Sequence, residues 1–493
     1  MLRPFSQTLS TADALHLLRR TTFATSWPTL KNFAGKTADD AVDFLLDNAL
    51  KNPKPQSPSW INSGFPSWWK LPQADQQKAI DGVYKRVYEE NYELKRWWAA
   101  EMGKDLTSIR EKMTLFWHGH FTTKFAIDDP MHAGLMYRQN VLFRELHQGN
   151  FRELVEKIAI DGAMLFFLNG KDSTKTAPNE NFSRELLELY TVGIGNYSEQ
   201  DVKEGARVFT GWKVNVFSEE WKQFPIFQAF IAPNEHDFEA KSYLGETIHV
   251  PFTASYEAGV KQEIKDLVNI ILSKKSVEVS EFICEKLFRY FVYSKPEAPD
   301  GELIKSLAKT FRDNNWEIRP VLSQLLKSEF FFSEAARGVQ IKTPAETVVG
   351  FSKHFDVKED WKEWVMVTMG QELLNPPNVA GWAGYRKWTD TRTFPFAVQQ
   401  LSYFVWNQTN AQMITWIAQF DQKENADKLV EQILTLFLAK SPTTSQLEKY
   451  KKELLGGTPD YEWPNMIANI EQGGFRLKLM LLALLKTPDF HLC

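Results

Sequence analysis

Residues 73–121, QADQQKAIDGVYKRVYEENYELKRWWAAEMGKDLTSIREKMTLFWHGHF, hold the longest helical signal in the chain and decide its fold class. The spacing predicts two helices with a break near Gly103 to Thr107. In the second, Ile109, Met113, Phe116 and Trp117 cluster on one side, and at about 100° per residue His120 falls with them.

Reading toward the N-terminus, 10–20 and 37–49 are short helices, with Ser10 or Thr11 and Thr37 placed to cap free backbone donors. Between them and the long signal lies NPKPQSPSWINSGFPSWWK, a proline-rich loop whose aromatics would be costly to expose. Toward the C-terminus helical spacing recurs at 131–147, 151–168, 179–192 and 198–212. It fades over 213–251, where VNVFSEEW, FPIFQAFIAP and SYLGETIHVPF read as short strands or a hairpin. It returns at 256–272, 277–292, 301–314, 318–331, 365–374, 394–407, 426–438, 445–455 and 475–485. No period of about 34 or 40 residues repeats, which argues against a helical solenoid. The expected architecture is all-α: one large irregular multi-helix body over 1–493, divisible into lobes 1–212 and 256–493 joined by an irregular or β-containing excursion at 213–255.

Composition bounds the function classes. With 493 residues, 43% hydrophobic and 24% charged, the chain is long and apolar enough for a large core, which excludes a fibre or a wholly disordered chain. Its 58 basic and 62 acidic side chains give a net charge of -4, so no general attraction to nucleic acid or anionic lipid is expected. Cys284 and Cys493 have no spacing that implies a disulfide or a metal knuckle. No run reaches the ~18 apolar residues of a membrane span, and the opening MLRPFSQTLSTADALHLLRRTTFATS has no continuous apolar stretch of an export signal. A soluble, cytoplasmic protein is the expectation. The 36 Phe and 17 Trp supply packing between helices and also suit stacking on sugars or other ligands.

Several residues could carry chemistry. His118 and His120 in HGH are candidate metal ligands, although hydrogen-bonded structural imidazoles explain the pair equally simply. APNENFSRELLELYTVG supplies carboxylates: Phe182, Leu186 and Leu189 form a packing stripe, and Asn181, Glu185 and Glu188 line an adjacent one at i, i+4 and i+7. Glu180 and Arg184 form an i, i+4 pair on another face, where Arg184 would clamp an anion if buried. Ser198 and Asp201 fit a capping box, and Arg207 in EGARVFTGW either pairs inside or snorkels outward. His236 and Asp237 sit in the excursion, where a surface loop or a third imidazole for the metal are both open readings. Trp382 and Trp388, beside Gly381 and Gly384, anchor a loop or wall a cavity. The common phosphate-binding, dinucleotide-binding, nucleophile-elbow and H-E-x-x-H signatures are missing.

The ordered set REKMTLFWHGHFTT, GNFRELVEKIAIDGAMLFFLNG, PNENFSRELLELYTVGIGNYSEQDV, ARVFTGW, EHDFEAKSYLG and LLNPPNVAGW resembles the bacterial family termed domain of unknown function 1800. The resemblance runs from the FSQTLSTADALHLLRRTTFATS opening to RTFPFAVQQ and leaves the last roughly 90 residues less diagnostic. Gly162 and Phe166-Phe167 depart from the family pattern, which has Pro and an aliphatic-aromatic pair there. His118, His120, Asn179, Glu180, Asn181, Arg184, Glu185, Glu188, Asp201, Arg207, Trp212 and His236 match family motif positions without an established catalytic role. The resemblance implies a mainly helical fold and a neighbouring partner related in fold to sulfatases.

Two functional classes follow. One is a metal-assisted hydrolase of unspecified substrate, with a divalent ion on His118, His120, His236, Glu185 and Glu188. A carboxylate among Glu180, Glu185 and Glu188 would activate water, and Arg184 or Arg207 would stabilise the developing charge. The other is a noncatalytic helical scaffold or binding component, for a small molecule, a polymer or a sulfatase-like partner, in which the same side chains form a structural network.

Overall fold

The computed structural model describes residues 2–125, 132–220, 222–253, 255–294 and 300–493. Helices hold 61% of the chain, and the sheet content is two small antiparallel strand pairs. The decisive segment folds as read. Gln73–Lys104 is one helix of 32 residues, and Arg110–His120 follows after a short break. Val83, Val87, Leu94, Trp98 and Met102 bury one side of the long helix against Ala133–Glu145, Pro344–Ser352 and Glu359–Thr368. One continuous apolar core runs from Leu9 to Phe490, so residues on both sides of the excursion share it. Buried ion pairs also cross between the two sides, Lys112 with Glu346 and Arg337 with Asp13.

The excursion contains the strands. β1 (Trp212–Val214) pairs with β2 (Ala229–Ile231), and β3 (Lys241–Tyr243) turns through Gly245 into β4 (Glu246–Ile248). Caps fix several helix starts: Ser10 with Asp13 and Ser198 with Asp201 form capping boxes, and Thr37 accepts from the Asp40 amide. Among the described residues no helix is long and apolar enough to cross a membrane.

Several helical expectations shift; the 198–212 run ends at Val208, with Trp212 opening β1, and the 475–485 run starts earlier, at Ile470. The 151–168 run divides into Phe151–Ile158 and Gly162–Phe167 because the Asp161 carboxylate accepts from the Met164 amide at 3.0 Å and starts a new helix. Gly162, the departure from the family pattern, is its first residue, and a Cβ there would lie 2.7 Å from Leu135 Cδ2. The 179–192 run begins as the α-helix Glu180–Glu185 and continues as the π-helix Leu186–Thr191. The i→i+5 ladder turns Leu187 and Tyr190 into the core and leaves Leu189, expected in the packing stripe, only half-buried. The 318–331 run stops at Leu326, and the 365–374 signal belongs to Glu359–Thr368, after which the chain turns through Gly370 and Leu374, both at positive φ. In the 131–147 run the helix starts at Ala133, capped by His132; Met131 lies outside the described residues.

Candidate functional site

The HGH helix is buried on every side. Arg110 donates to the Asn52 carbonyl at 2.9 Å, Glu111 pairs with Arg144 and accepts from Trp98 Nε1 at 3.2 Å, and Lys112 pairs with Glu346. The helix continues through His120, so the two imidazoles point into different surroundings. His118 sits among the rings of Trp98, Phe143 and Trp382, with its Nε2 buried and without a hydrogen-bond partner among the described residues. Burial alone pushes His118 down to about 3, so it is neutral at physiological pH.

His120 is fully engaged. Its Nε2 lies 3.0 Å from the Tyr190 carbonyl and its Nδ1 3.0 Å from Lys286 Nζ. A carbonyl only accepts, so the consistent tautomer carries its hydrogen on Nε2 and accepts at Nδ1. Lys286 also donates to the Leu189 carbonyl at 2.8 Å and lies 4.4 Å from the Phe282 ring. Desolvation lowers this amine to about 7, and no described carboxylate pairs with it. Sequence reasoning missed Lys286; nothing in SVEVSEFICEKLFRYF distinguishes it from the other lysines of an amphipathic helix. Both carbonyls belong to the π-helix, which joins the HGH helix to Ser276–Phe291.

The carboxylate row does not meet these imidazoles. Arg184 holds Glu199 through two bonds of 2.7 Å and Glu180 at 3.2 Å, on an exposed face. Glu188 accepts from Tyr197 at 2.6 Å. Glu185, half-buried beside Glu188, is raised above the usual carboxylate range by desolvation first and by its neighbour's charge second. Asn179 caps its helix by accepting from the Asn181 amide, and Asp201 completes the Ser198 box and accepts from the Leu244 amide. Arg207 takes the paired alternative, donating to Asp237 and to Glu204 at 2.7 Å each.

His236 is buried rather than carried on a surface loop. Its Nδ1 lies 2.8 Å from the Thr210 carbonyl and its Nε2 3.2 Å from Glu263, whose carboxylate Lys241 also holds at 2.7 and 2.8 Å. Each ring nitrogen thus lies against an oxygen of the chain, the Thr210 carbonyl at Nδ1 and the Glu263 carboxylate at Nε2. No hydrogen bond or ring contact joins His236 to His118 or His120, and among the described residues no group of three or more His, Cys, Asp or Glu is placed to hold a metal ion.

The loop of LLNPPNVAGW closes over the HGH helix. Gly381 has φ +81°, and a Cβ there would overlap the carbonyl oxygen of Gly119. Trp382 is thereby laid against His118, and Trp388 is buried. The motifs that are distant in sequence thus pack as one unit. Comparison with protein-family models matches residues 16–492 to "Protein of unknown function (DUF1800)". The chain belongs to that family. The match reaches the C-terminal helices as well, beyond the stretch in which the resemblance was legible motif by motif. Searches of the curated proteins and of the solved structures returned no match.

Away from its motifs, this DUF1800 chain opens a groove of about 700 Å³ between Glu359–Thr368 and Thr393–Trp406. Trp361, Trp364 and Phe404 line it with Asp356, Lys358, Asp360 and Asn407. Trp364 is 49% exposed, while Trp361 packs on Tyr403 with ring centroids 4.3 Å apart and donates to Gln400 at 3.2 Å. The side chains of Asp356, Lys358 and Asn407 make no hydrogen bond or ion pair with the described residues. No sequence motif marked this face, although the high aromatic content did raise ligand stacking.

Proposed function

We propose that the protein is a noncatalytic binding component that takes a carbohydrate chain along the Trp361–Trp364 groove. One observation supports this reading: the half-exposed indole of Trp364 and the partly exposed one of Trp361 stand beside a carboxylate, an ammonium and an amide that have no partner among the described residues. Indole faces stack on the C–H faces of a pyranose, and the free polar groups suit its hydroxyls. The groove volume falls within the roughly 300–1,000 Å³ of ordinary ligand sites. Pairing of Arg184, Arg207, His120 and His236 into internal networks agrees with a structural use of the family motifs. The test is affinity electrophoresis through gels containing soluble β-glucan, xylan or mannan. Retardation by at least one, abolished in Trp361→Ala/Trp364→Ala with unchanged far-ultraviolet circular dichroism, is expected. Migration unaffected by all three overturns the reading. A sulfatase-like partner, implied by the family resemblance, is the competing occupant, and its capture by wild type but not the double variant would replace the sugar with a protein.

A second reading, a metal-assisted hydrolase centred on His118 and His120, is favoured by one feature: the buried, unpartnered Nε2 of His118. Elemental analysis of protein purified without added metal tests it. Near-stoichiometric transition metal, lost in a folded His118→Ala/His120→Ala variant, is the supporting result.

A further inference from the structure

A second cavity lies where the end of the helix Thr11–Thr21 meets Pro344–Ser352, the end of Ala426–Phe437 and the C-terminal residues Phe490 and Cys493. Its volume of about 60 Å³ is several times the ~10–15 Å³ that one water requires. Arg19, Thr22, Thr25, Lys342, Glu346 and His354 supply its polar lining.

The charges around it do not balance. Glu346 is committed to Lys112 and to the Thr343 amide, which it accepts at 2.7 Å. Arg19 donates to the Leu436 carbonyl at 2.6 Å, and Lys342 to the Phe490 carbonyl. Behind them Arg20 donates to the carbonyls of Val292 and Ala336 at 3.0 and 3.1 Å and approaches Cys493 Sγ at 3.6 Å, and its Nε has no partner among the described residues. None of Arg19, Arg20 and Lys342 forms an ion pair with a described carboxylate, and an α-carboxylate at Cys493 would offset only one of the three. Arg20 is buried and Arg19 and Lys342 are partly buried; cations so placed ordinarily have anionic partners, because taking an unpaired charge out of water costs several kcal/mol when burial is complete. The Thr25 hydroxyl, in the same wall, is buried with no hydrogen-bond partner among the described residues. His354 is neutral there, pushed down to about 3 by burial first and by Lys353 second.

We propose that this cavity binds one small tetrahedral oxyanion, phosphate or sulfate, held by Arg19 and Lys342, with the Thr25 hydroxyl as a further donor and Arg20 contributing charge from behind. An anion at this place accepts from the donors that the chain leaves unbalanced and removes the repulsion among the three cations. The present state of the amines agrees: desolvation and Arg19 together push Lys342 down to about 7. The inference is independent of the carbohydrate groove, whose residues it does not use.

Equilibrium dialysis of the full chain against labelled inorganic phosphate, and separately sulfate, in chloride of constant ionic strength, tests it. Saturable binding of one anion per chain is expected, weakened at least tenfold in Lys342→Met and in Thr25→Val; competition between the two anions then identifies the preferred one. Thermal unfolding supplies the control, since phosphate and sulfate also stabilise proteins non-specifically without saturating. A saturable rise in Tm that both variants lose supports the site. Absence of saturable binding, or equal binding by wild type and both variants, overturns it. Thr25→Val removes one hydroxyl at nearly constant volume, so it gives the answer even if Lys342→Met fails to fold.

Discussion

Substituting Glu263 tests whether His236 belongs to a structural network. Lys241, His236 and Glu263 are each at most 1% exposed, and Glu263 is the carboxylate that both cationic or proton-donating neighbours reach. Glu263→Leu leaves the Lys241 ammonium buried with the Asp237 carbonyl as its remaining partner, and breaking such a pair from one side costs about 3–5 kcal/mol. At roughly 2.1 cal/mol/K per residue, the 493-residue chain has an unfolding entropy near 1 kcal/mol/K. The single variant should therefore lose about 3–5 °C in Tm. Lys241→Met/Glu263→Leu removes both charges and should recover most of that loss, to within about 2 kcal/mol of wild type. Scanning calorimetry and urea unfolding read both values, and metal content measured in parallel should be the same in all three proteins. A single variant that loses less than about 1 kcal/mol, or a double variant no more stable than the single, would refute the network.

Acid should destabilise the fold through its buried imidazoles. Burial holds His118 at about 3 and, with nearby cations, His147 and His491 at about 4, all below the ordinary 6.5. The unfolded chain therefore binds more protons between those values, so stability is full above about 6.5 and falls as pH drops toward 3. Each such group adds a slope of up to about 1.4 kcal/mol per pH unit, and His118→Phe should flatten the urea-midpoint profile by one proton; an unchanged profile contradicts a neutral His118. Lys286, whose described partners are a carbonyl and an imidazole, should titrate near 7 by lysine-labelled NMR, with its signal missing in Lys286→Met. Its lowered value makes its contribution to stability rise as pH climbs from about 7 toward 10.5, and a midpoint above 10 would remove the argument. Gly381→Ala should lose at least about 1–3 kcal/mol from backbone strain alone, with the clash against Gly119 adding to it; wild-type Tm in this variant would disprove the close approach.

Helix periodicity made most of the fold legible, because amphipathic helices such as Gly301–Asp313 and Ala426–Phe437 write their buried face into local spacing. Legibility failed where structure depends on distant partners or on a change of ladder. The π-helix moved Tyr190 and Leu187 inward although the sequence reads as an ordinary α repeat. His236 looked like a surface-loop residue because its partner Glu263 lies 27 residues away on the next helix. The Lys286–His120 contact spans 166 residues and leaves no trace in either local motif. Short helices such as Trp27–Phe33 and Asn410–Ile417 offered too few turns for a periodic signal.

The specificity of REKMTLFWHGHF as a motif does not by itself require catalysis. Arg110, Glu111 and Lys112 tie one helix to the 52–53 loop, to Arg144 and to Glu346, while Gly119 admits the Gly381 backbone and His120 joins the π-helix to Lys286. Few residue types satisfy so many long-range constraints at once, and packing alone therefore supplies a reason for nearly every polar position in it. His118 stands apart: Arg110 Nε is also unpartnered but belongs to a guanidinium that bonds elsewhere, whereas the buried Nε2 of His118 costs desolvation and returns no hydrogen bond among the described residues. A residue that a purely structural account leaves unsatisfied is where the two functional classes diverge. The His118→Phe profile and the metal content of the His118→Ala/His120→Ala protein consequently bear more directly on catalysis than any substitution in the Glu180–Arg184–Glu199 cluster, whose charges are already paired at the surface.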